Sequence, residues 1–330
     1  MKIERVVIRD LRALKARDDA FAGPDGVFPS ACLRGLNGSG KTTYLEAIAH
    51  LWQWFRRCTQ RRAYVSPAPD SLLVDAARVA VLFTDLPGPR SRMWIAWERD
   101  PAARLHQAGD ADSALVVEGG RLRWDPNTLA WWEQAFARAE SGGEPIPNIV
   151  MIEAENKFVP VLRRDELTRS GAAPAFFPVA RNSPTARGAS HLEGVMRTLF
   201  LARPEQWKLL AAEFTRLRPG LRLMDRFEET TQRPLLELRD GTVVTVDRLS
   251  AGERSVLINL CMVLRWLGPG GIVLLDEPEL HQHVSLMRGS IAVTESLVAR
   301  SFGGQLLVAS HAPEVWDHFR MSGALVDLDT

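Results

Sequence analysis

The sequence predicts an α/β fold in which helices flank a mixed central sheet and a second lobe is inserted into the chain. A glycine-rich stretch at residues 35–42 lies between a short apolar strand and an amphipathic helix. Two apolar runs, at residues 272–275 and 306–309, have the composition of parallel strands that are buried on both faces. No heptad pattern is sustained and no segment repeats, so neither a coiled coil nor a repeat array is expected.

The composition predicts a globular protein without a membrane partner. Of the 330 residues, 46% are apolar and 25% are charged, and the formal net charge is +1. No apolar run approaches the roughly 20 residues that cross a bilayer. The three cysteines are scattered without C-x-x-C spacing, and the first residues begin a strand pattern rather than a secretory leader. A reducing, cytoplasmic location is therefore expected.

The glycine-rich stretch has the residues that a phosphate-binding loop needs. It matches G-x-x-x-x-G-K-[ST] without a gap, in the strand–loop–helix context that this motif requires. Glycines let consecutive main-chain N–H groups point towards phosphate oxygens, and the helix N-terminus adds the positive end of its dipole. Lys41 supplies an ammonium group for the β- and γ-phosphates, and the Thr42 hydroxyl is a ligand for Mg²⁺. The stretch predicts binding of a nucleoside triphosphate.

Strand and helix patterns alternate along the rest of the chain. Strands are predicted at residues 2–8, 30–33, 79–83, 93–97, 114–117, 121–124 and 149–152. Helices are predicted at residues 43–57, 129–139, 190–201 and 204–217. Residues 160–184 predict loops, and residues 222–245 predict a strand pair that turns at residues 240 and 241. Four arginines at residues 56–62 indicate either a solvated helix end or a site for an anionic partner.

A second phosphate-binding feature is predicted at residues 249–254, which precede a helix that is apolar almost all round. Ser250 and Gly252 stand at the N-terminus of this helix, where a hydroxyl and free N–H groups can bind a γ-phosphate. Taken alone, these residues are an ordinary helix cap. One nucleotide has no use for two γ-phosphate sites in a single chain, so the pair predicts that the two sites meet across a dimer.

Polar residues follow the two apolar runs near the C-terminus. Asp276 can support a Mg²⁺ shell, and Glu277 can polarise a water for in-line attack on the γ-phosphate. His311, after the second run, can hydrogen-bond the γ-phosphate and sense its loss. A pair of acids at a helix start and a lone structural histidine are the alternatives, and the order of the motifs disfavours both.

Together these elements resemble the head of ABC-type ATPases. More narrowly, they resemble the AAA-family branch shared by structural-maintenance-of-chromosomes (SMC) proteins, RecF and the OLD-like (overcoming lysogenization defect) ATPases. Residues 9–12 are similar to the opening strand and turn of that branch, where a basic residue, here Arg12, lies near the nucleotide. Residues 249–253 carry the acidic fifth position common there, and residues 276–281 are close to the OLD-like form. The resemblance covers residues 1–50 and 246–313.

The resemblance implies an ATPase that binds ATP and Mg²⁺ and forms a homodimer around two nucleotides. It implies that Glu277 is the catalytic base, that His311 is the switch, and that Thr42 and Asp276 hold the metal. On the opposite subunit, the nucleotide would be contacted by Ser250, Gly252 and Glu253. The phosphates would be held by Asn37, Gly38, Ser39, Gly40, Lys41, Thr42 and Thr43.

The predicted division is a core lobe at residues 1–58 and 247–330 and an inserted β-rich and helical lobe at residues 59–246. Two features depart from the family pattern. No clear Gln follows a strand of the first lobe, so Glu155 or Asn156 would have to take its place. Few residues follow His311, so we expect no nuclease domain of the kind that many OLD-like chains carry. His281 and His283 are spaced to bind a metal, but a turn and helix start after Glu277 is the favoured interpretation.

Three hypotheses about the biological role remain. The first is an ATPase that controls a separate effector, a nuclease or toxin in anti-phage defence, or that acts in DNA maintenance and repair as RecF does, with DNA as a further ligand. The second is the nucleotide-binding subunit of an ABC transporter, which Glu253 and the long interval between Lys41 and Ser250 disfavour. The third is a structural scaffold that does not hydrolyse nucleotide.

Overall fold

Two six-stranded sheets organise the part of the chain that the computed structural model describes, residues 1–99, 115–118, 121–123, 125–154, 175–182, 191–322 and 324–329. The strands are β1 (Lys2–Leu11), β2 (Leu14–Ala20), β3 (Ala22–Gly23), β4 (Gly26–Val27), β5 (Ser30–Arg34), β6 (Arg78–Thr84), β7 (Met93–Glu98), β8 (Leu115–Glu118), β9 (Arg121–Arg123), β10 (Ile149–Ile152), β11 (Val179–Arg181), β12 (Leu221–Phe227), β13 (Pro234–Leu238), β14 (Val243–Thr245), β15 (Ile272–Asp276), β16 (Gln305–Ser310) and β17 (Ala324–Asp327). The helices are α1 (Lys41–Arg61), α2 (Pro126–Glu140), α3 (Leu192–Ala202), α4 (Pro204–Leu217), α5 (Ala251–Trp266), α6 (Val284–Ser296) and α7 (Pro313–Ser322).

The second sheet is parallel and has the strand order β11-β10-β15-β16-β5-β17. Asp276 at the end of β15 is opposite Ala309 of β16, and Ser310 is opposite Arg34 of β5. Parallel strands end at the same edge of a sheet, and ligands bind beyond the carboxyl ends of such strands. The segments that follow β5, β15 and β16 are therefore brought together at one edge.

Helix α1 carries much of the core between the two sheets. It contacts β6 and β7 of the first sheet, whose order is β2-β1-β6-β7-β8-β9, and β15 and β16 of the second. Trp52 is fully buried on this helix, and its ring centroid lies 5.2 Å from that of Phe83 and 5.5 Å from that of Trp132. Aromatic pairs at such distances stabilise a fold beyond the area that they bury. The helix that starts at the glycine-rich loop is thus held from both sides.

Helix α5 builds a second core on the opposite face of the parallel sheet. All of residues 255–266 are buried, and the helix packs against α3, α4, α6 and β10. The alternation along β15 explains the two cores, because Ile272 and Leu274 face the α1 core whereas Val273 and Leu275 face the α5 core. The all-round apolar pattern of α5 is therefore accounted for by packing.

Several elements differ from the sequence prediction. Strand β11 lies within the segment predicted as loops, and residues 221–245 form three antiparallel strands, β12-β13-β14, rather than a pair. Strand β17 was not predicted; it is short and joins the sheet only by pairing with β5, from which it is distant in sequence. Part of the segment predicted as an inserted lobe lies within the core sheets, because β6 pairs with β1 and β10 pairs with β15. The first sheet contains strands from both sides of the predicted boundary at residue 59. The two-lobe division stays a prediction.

The basic cluster at the end of α1 is partly engaged within the chain. The Arg56 guanidinium pairs with Glu140 at 2.5 Å and that of Arg62 with Glu133 at 2.6 Å, and both carboxylates belong to α2. These pairs tie the end of α1 to α2, as expected of a helix end packed on a neighbour. Among the described helices, none is both long and apolar enough to cross a bilayer.

Candidate functional site

The loop between β5 and α1 is closed on itself by Lys41. The Lys41 ammonium group donates to the main-chain oxygen of Gly35 at 2.9 Å and to that of Leu36 at 2.8 Å. Gly40, with φ +94°, immediately precedes α1, and a Cβ at this position would lie 2.9 Å from the Leu14 side chain. Only glycine meets both conditions without strain. The loop therefore has the winding that a phosphate-binding loop needs, for reasons visible in the packing around it.

A cleft of about 460 Å³ opens in front of this loop. Its volume is within the range of small-ligand sites. Residues from the β1–β2 turn, the loop, the start of α1 and the ends of β15 and β16 line it: Arg12, Ala13, Asn37, Gly38, Gly40, Lys41, Thr42, Thr43, Glu277 and His311. Ser39 is not among them, and its hydroxyl packs against Gly35 instead. One cleft thus unites residues from four separate parts of the sequence.

Thr42 and Asp276 meet at the floor of this cleft. The Thr42 hydroxyl donates to Asp276 Oδ2 at 2.9 Å, and Asp276 is almost fully buried. A hydroxyl oxygen beside a carboxylate oxygen is the kind of donor set that Mg²⁺ prefers. The oxygen donors of Thr42 and Asp276 therefore fit Mg²⁺.

Glu277 directly follows β15 in an unusual backbone conformation. Its φ is +41°, in the left-handed region that a residue with a Cβ rarely adopts, and its N–H donates to the oxygen of Ala309 at 2.9 Å. Such a conformation costs about 1–3 kcal/mol and persists where the surroundings impose it. Here pairing between β15 and β16 imposes it. The carboxylate reaches the cleft, and its Oε1 lies 3.5 Å from Nδ1 of His311.

A second glutamate at this edge, Glu279, was missed by the sequence analysis as a site residue. Its Oε1 accepts from the Ser310 hydroxyl at 2.6 Å and from the His311 N–H at 3.0 Å. The same oxygen lies 3.2 Å from His311 Nδ1. The sequence did contain a signal, because Glu279 stands two residues after Glu277 in the same motif, but only the pairing of β15 with β16 sets it beside His311.

The back of the glycine-rich loop is held by Asp329, which the sequence analysis also missed. The Leu36 N–H donates to both carboxylate oxygens of Asp329, at 3.0 and 3.1 Å. The preceding Asp327 pairs with Arg34, and its pKa is lowered by the N–H of Asp329 and by that guanidinium. No local pattern could reveal this contact, since the two residues are 293 positions apart.

The three residues predicted to act on a second nucleotide lie outside the cleft. Ser250 is exposed and begins α5 in a capping box, in which its hydroxyl accepts from the Glu253 N–H at 3.3 Å. Glu253 Oε2 accepts from the Ser250 N–H at 3.0 Å, and Glu253 Oε1 accepts from Arg218 Nε at 2.9 Å. Gly252 is buried, and a Cβ there would lie 2.7 Å from the main-chain oxygen of His281. Ser250 is therefore the member of this group that faces outwards.

Buried charges support the segment before Ser250. Glu193 Oε1 of α3 lies 3.5 Å from Arg233 Nε, and Arg233 Nη1 lies 3.6 Å from Asp247 Oδ2. Burial raises the pKa of Glu193 to about 7, against the opposing effect of Arg233. The cluster connects α3 with the turn that leads into α5.

The two histidines considered as metal ligands lie in the turn and at the helix start, as favoured. The ring of His283 accepts from the N–H of Ser285 and caps α6. Within the described residues, no group of three or more His, Cys, Asp or Glu side chains is arranged to hold a metal ion. Glu155 and Asn156, the candidates for the missing Gln, lie outside the described residues.

No protein-family model matches this sequence, and no curated protein matches it. Similar folds are found among solved structures. An SMC head bound to the C-winged helix domain of ScpA is 16% identical, covers 96% of this chain and 91% of its own, and has a TM-score of 0.53. The SMC head domain from Thermotoga maritima is 12% identical, with coverages of 96% and 92% and a TM-score of 0.48. An SMC head with an extended coiled coil, bound to a ScpA domain derived from Pyrococcus furiosus, is 13% identical, with coverages of 96% and 91% and a TM-score of 0.47. The first similarity shows that this chain has the fold of an SMC head, which confirms the predicted fold class.

Proposed function

We propose that this chain, which has the fold of an SMC head, binds ATP together with Mg²⁺ and hydrolyses the ATP. One observation carries the proposal: a single cleft of about 460 Å³ joins the glycine-rich loop, Lys41, Thr42, Glu277 and His311. These are the groups that phosphoryl transfer to water requires, namely phosphate binding, charge neutralisation and a base.

Phosphate binding falls to the loop and to Lys41. Main-chain N–H groups from Asn37 to Thr43 and the N-terminus of α1 favour an anion, and the Lys41 ammonium group exchanges its two carbonyl partners for phosphate oxygens. Thr42, supported by Asp276, would hold Mg²⁺, which supplies neutralisation of the phosphate charge when bound. Arg12, at the rim, adds a further positive charge near the nucleotide.

We assign the hydrolytic step to Glu277 and His311. Glu277 accepts a proton from a water whose oxygen attacks the γ-phosphorus, while the bond from that phosphorus to its bridging oxygen breaks and ADP leaves. The imidazole of His311 donates to a γ-phosphate oxygen and loses that contact when the phosphate departs. Both side chains reach the cleft, as this division of work demands.

The cleft of one copy is proposed to be completed by a second copy. Ser250 and Ala251, where α5 begins, are exposed, and neither lines the cleft of its own chain. A helix N-terminus with an outward serine is suited to a γ-phosphate presented from outside. Two copies related by two-fold symmetry would then enclose two ATP molecules, with Gly252 and Glu253 shaping the helix start that carries Ser250.

Glu277→Gln tests the ATPase proposal. The variant is expected to bind ATP with unchanged affinity, to hydrolyse it about 10²- to 10⁴-fold more slowly, because the base is lost, and to accumulate as an ATP-bound dimer. Calorimetric titration, phosphate release and light scattering on a sizing column measure the three quantities. The matched control is Lys41→Ala, which should weaken ATP binding about 10- to 100-fold through the loss of charge-assisted hydrogen bonds, and should stay monomeric at an ATP concentration that is enough to load Glu277→Gln but not Lys41→Ala. Wild-type turnover in Glu277→Gln, or absence of ATP binding in the wild type, would falsify the proposal.

The biological output is proposed to lie in a partner protein. The similar SMC head is described as bound to a winged-helix domain of ScpA, which shows that a head of this fold can engage a partner. For this chain we propose a separate effector, a nuclease or toxin in anti-phage defence or a DNA-maintenance factor, with DNA as a further candidate ligand. The same two variants serve as baits for the effector, Glu277→Gln in the presence of ATP and Lys41→Ala. If the partner responds to the nucleotide state, only one of the two baits should retain it. Equal retention by both baits would separate the partner from the nucleotide state.

A further inference from the structure

We propose that Glu279 is a positioning residue that orients His311 for its contact with the γ-phosphate. The inference deepens the proposed ATPase function and rests on it. Three contacts converge on one oxygen, since Glu279 Oε1 lies 2.6 Å from Ser310 Oγ, 3.0 Å from the His311 nitrogen and 3.2 Å from His311 Nδ1. The carboxylate thus holds His311 by its main chain and by its ring.

The ring of His311 lies between two carboxylates that differ in distance. Nδ1 is 3.2 Å from Glu279 Oε1 and 3.5 Å from Glu277 Oε1. A proton on Nδ1 is therefore shared first with Glu279, which leaves Nε2, on the opposite side of the ring, for the ligand. A carboxylate that orients an imidazole through one nitrogen and so sets the task of the other is a recurrent arrangement.

Without Glu279, the nearest carboxylate for Nδ1 would be that of Glu277. The ring would then draw on the group that is proposed to accept the proton of the attacking water. Glu279 thus binds the imidazole and leaves Glu277 available to accept the proton of the attacking water. The parallel pairing of β15 with β16 makes this possible. It brings Glu279, which follows β15, beside Ser310 and His311 at the end of β16.

Stability alone does not account for the placement of Glu279. Its side chain is 11% exposed, and its second oxygen, Oε2, is buried with no hydrogen-bond partner among the described residues. A buried polar atom without a partner costs free energy rather than contributing it. A carboxylate kept at such a cost beside a candidate catalytic histidine is consistent with a role in the reaction.

Two substitutions separate the negative charge of the Glu279 carboxylate from the contacts that its oxygen makes. Glu279→Gln retains an acceptor for Ser310 and for the His311 N–H but removes the negative charge beside Nδ1, whereas Glu279→Ala removes all three contacts. For Glu279→Gln we expect kcat for ATP to fall about 10- to 100-fold, as is typical for partners that orient an imidazole, with a Kd for Mg·ATP within about twofold of wild type. Turnover, calorimetric titration with Mg·ATP and thermal unfolding of the full chain provide the readouts.

A matched control is available elsewhere in the chain. Glu295 also accepts from a serine hydroxyl, that of Ser30, and lies 2.9 Å from a histidine ring, that of His318, but it does not line the cleft. Glu295→Gln should leave kcat unchanged whatever it does to thermal unfolding. Adding Glu279→Gln to His311→Ala should produce little further loss of kcat, because the residue that Glu279 orients is already gone.

The outcomes distinguish this inference from the proposed function. If the wild type does not bind or hydrolyse ATP, the proposed function fails. If the wild type turns over and Glu279→Gln has wild-type kcat, or if its loss adds fully to that of His311→Ala, Glu279 is structural only and the inference fails while the ATPase stands. A loss confined to Kd for Mg·ATP would likewise overturn the positioning role.

Discussion

Main-chain groups of the glycine-rich loop are held by hydrogen bonds to single side chains, one nearby in the sequence and one distant. Leu36 is held at both of its main-chain groups, because its oxygen accepts from Lys41 Nζ and its N–H donates to Asp329. Leu36 as a whole is 69% exposed, so packing of its side chain contributes little to this arrangement. The contact with Asp329 does not involve Lys41, so it can hold the Leu36 main chain in place both before and after a ligand arrives, and preorganisation of this kind lowers the cost of binding. In this loop, hydrogen bonds to the main chain determine the shape of the site.

The first prediction at the residue scale concerns Glu193 and the dependence of stability on pH. Burial raises the pKa of Glu193 from 4.5 to about 7 in the folded chain. Between these values the folded state binds more protons than the unfolded state, so the free energy of unfolding falls as pH rises and levels off above about 7. The expected slope is of order 1 kcal/mol per pH unit.

Glu193→Gln isolates this effect, since the amide has a similar shape and does not titrate. Urea unfolding of wild type and variant at pH 5, 6, 7 and 8 gives the difference in stability at each pH. These values span roughly the range over which the raised pKa of Glu193 affects stability. Relative to wild type, the variant should gain stability steadily as pH rises to about 7. A difference that is constant over this range would show that Arg233 keeps Glu193 ionised in the folded chain.

At the scale of elements, the N-terminus of α5 and the segment after Glu277 form one packed unit. The main-chain oxygen of His281 approaches Gly252 so closely that a Cβ there would lie 2.7 Å away. Gln282 adds a side-chain hydrogen bond to Ser255 at 3.1 Å. The helix that begins after Ser250 is thus in direct contact with the segment that follows Glu277, which suits two motifs proposed to act on nucleotides at the two faces of a dimer.

Gly252→Ala is the prediction at this scale. The added methyl group meets main-chain atoms, which cannot rotate away, so we expect a loss of about 1–3 kcal/mol in the free energy of unfolding, together with lower ATP turnover. Denaturant unfolding and phosphate release measure the two effects.

Gly289→Ala, in α6, is the matched control for Gly252→Ala. Its added Cβ would meet only the end of the Leu217 side chain, at 2.9 Å, which can adjust. Because alanine also favours the helix by about 1 kcal/mol, this variant should be close to wild type in stability. Equal destabilisation by both variants would remove the special role assigned to the contact between Gly252 and His281.

At the scale of the whole molecule, two sheets and two cores bring four distant segments to one cleft. Helix α1 is fixed between the sheets, and β5, β15 and β16 end at a common edge. Ser250, at the start of α5, remains exposed and outside that cleft. The proposed assembly, in which the cleft of one copy meets the Ser250 helix of another, is compatible with this arrangement and predicts that neither copy alone contains a complete site.

Mixing two inactive variants tests the assembly. The mixing is done at an ATP concentration high enough to load Lys41→Ala. Lys41→Ala disables the loop, and Ser250→Arg blocks the helix start, so homodimers of either variant should not hydrolyse ATP. A mixed dimer has one site with both defects and one intact site. With random pairing of equal amounts, about half of the dimers are mixed and half of their sites are intact, so about a quarter of wild-type turnover should return.

The control for the mixing experiment is Lys41→Ala mixed with Glu277→Gln. Each of these substitutions lies in the cleft of the chain that carries it. Both sites of a mixed dimer are therefore defective, one through each substitution, and turnover should stay low. A mixture of Lys41→Ala and Ser250→Arg that remains inactive would show that Ser250 serves the nucleotide of its own chain. Ser250→Arg that hydrolyses ATP by itself would show that Ser250 serves none.

Local patterns were sufficient to predict the elements around the cleft. The strand before Gly35, the helix after it and the apolar strands before Asp276 and His311 occur where residue periodicity and motif spacing predicted them. Strands β11 and β17 are only three and four residues long, too short for a periodic pattern, and each exists because a longer parallel neighbour offers it hydrogen bonds. Element type thus follows from local composition in long segments and from partners in short ones.

By itself, the sequence determined the fold class, the order of the strands and helices around the loop, and the kinds of chemical groups that the chain can bring to a phosphate. These properties depend on neighbours within a few residues, where spacing and polarity decide the outcome. Only the tertiary structure decided that Glu279 lies against His311, that Asp329 holds Leu36, and that Ser250 faces away from the cleft. Such contacts join residues far apart in the chain, and they are set by strand register and core packing, which no local pattern encodes.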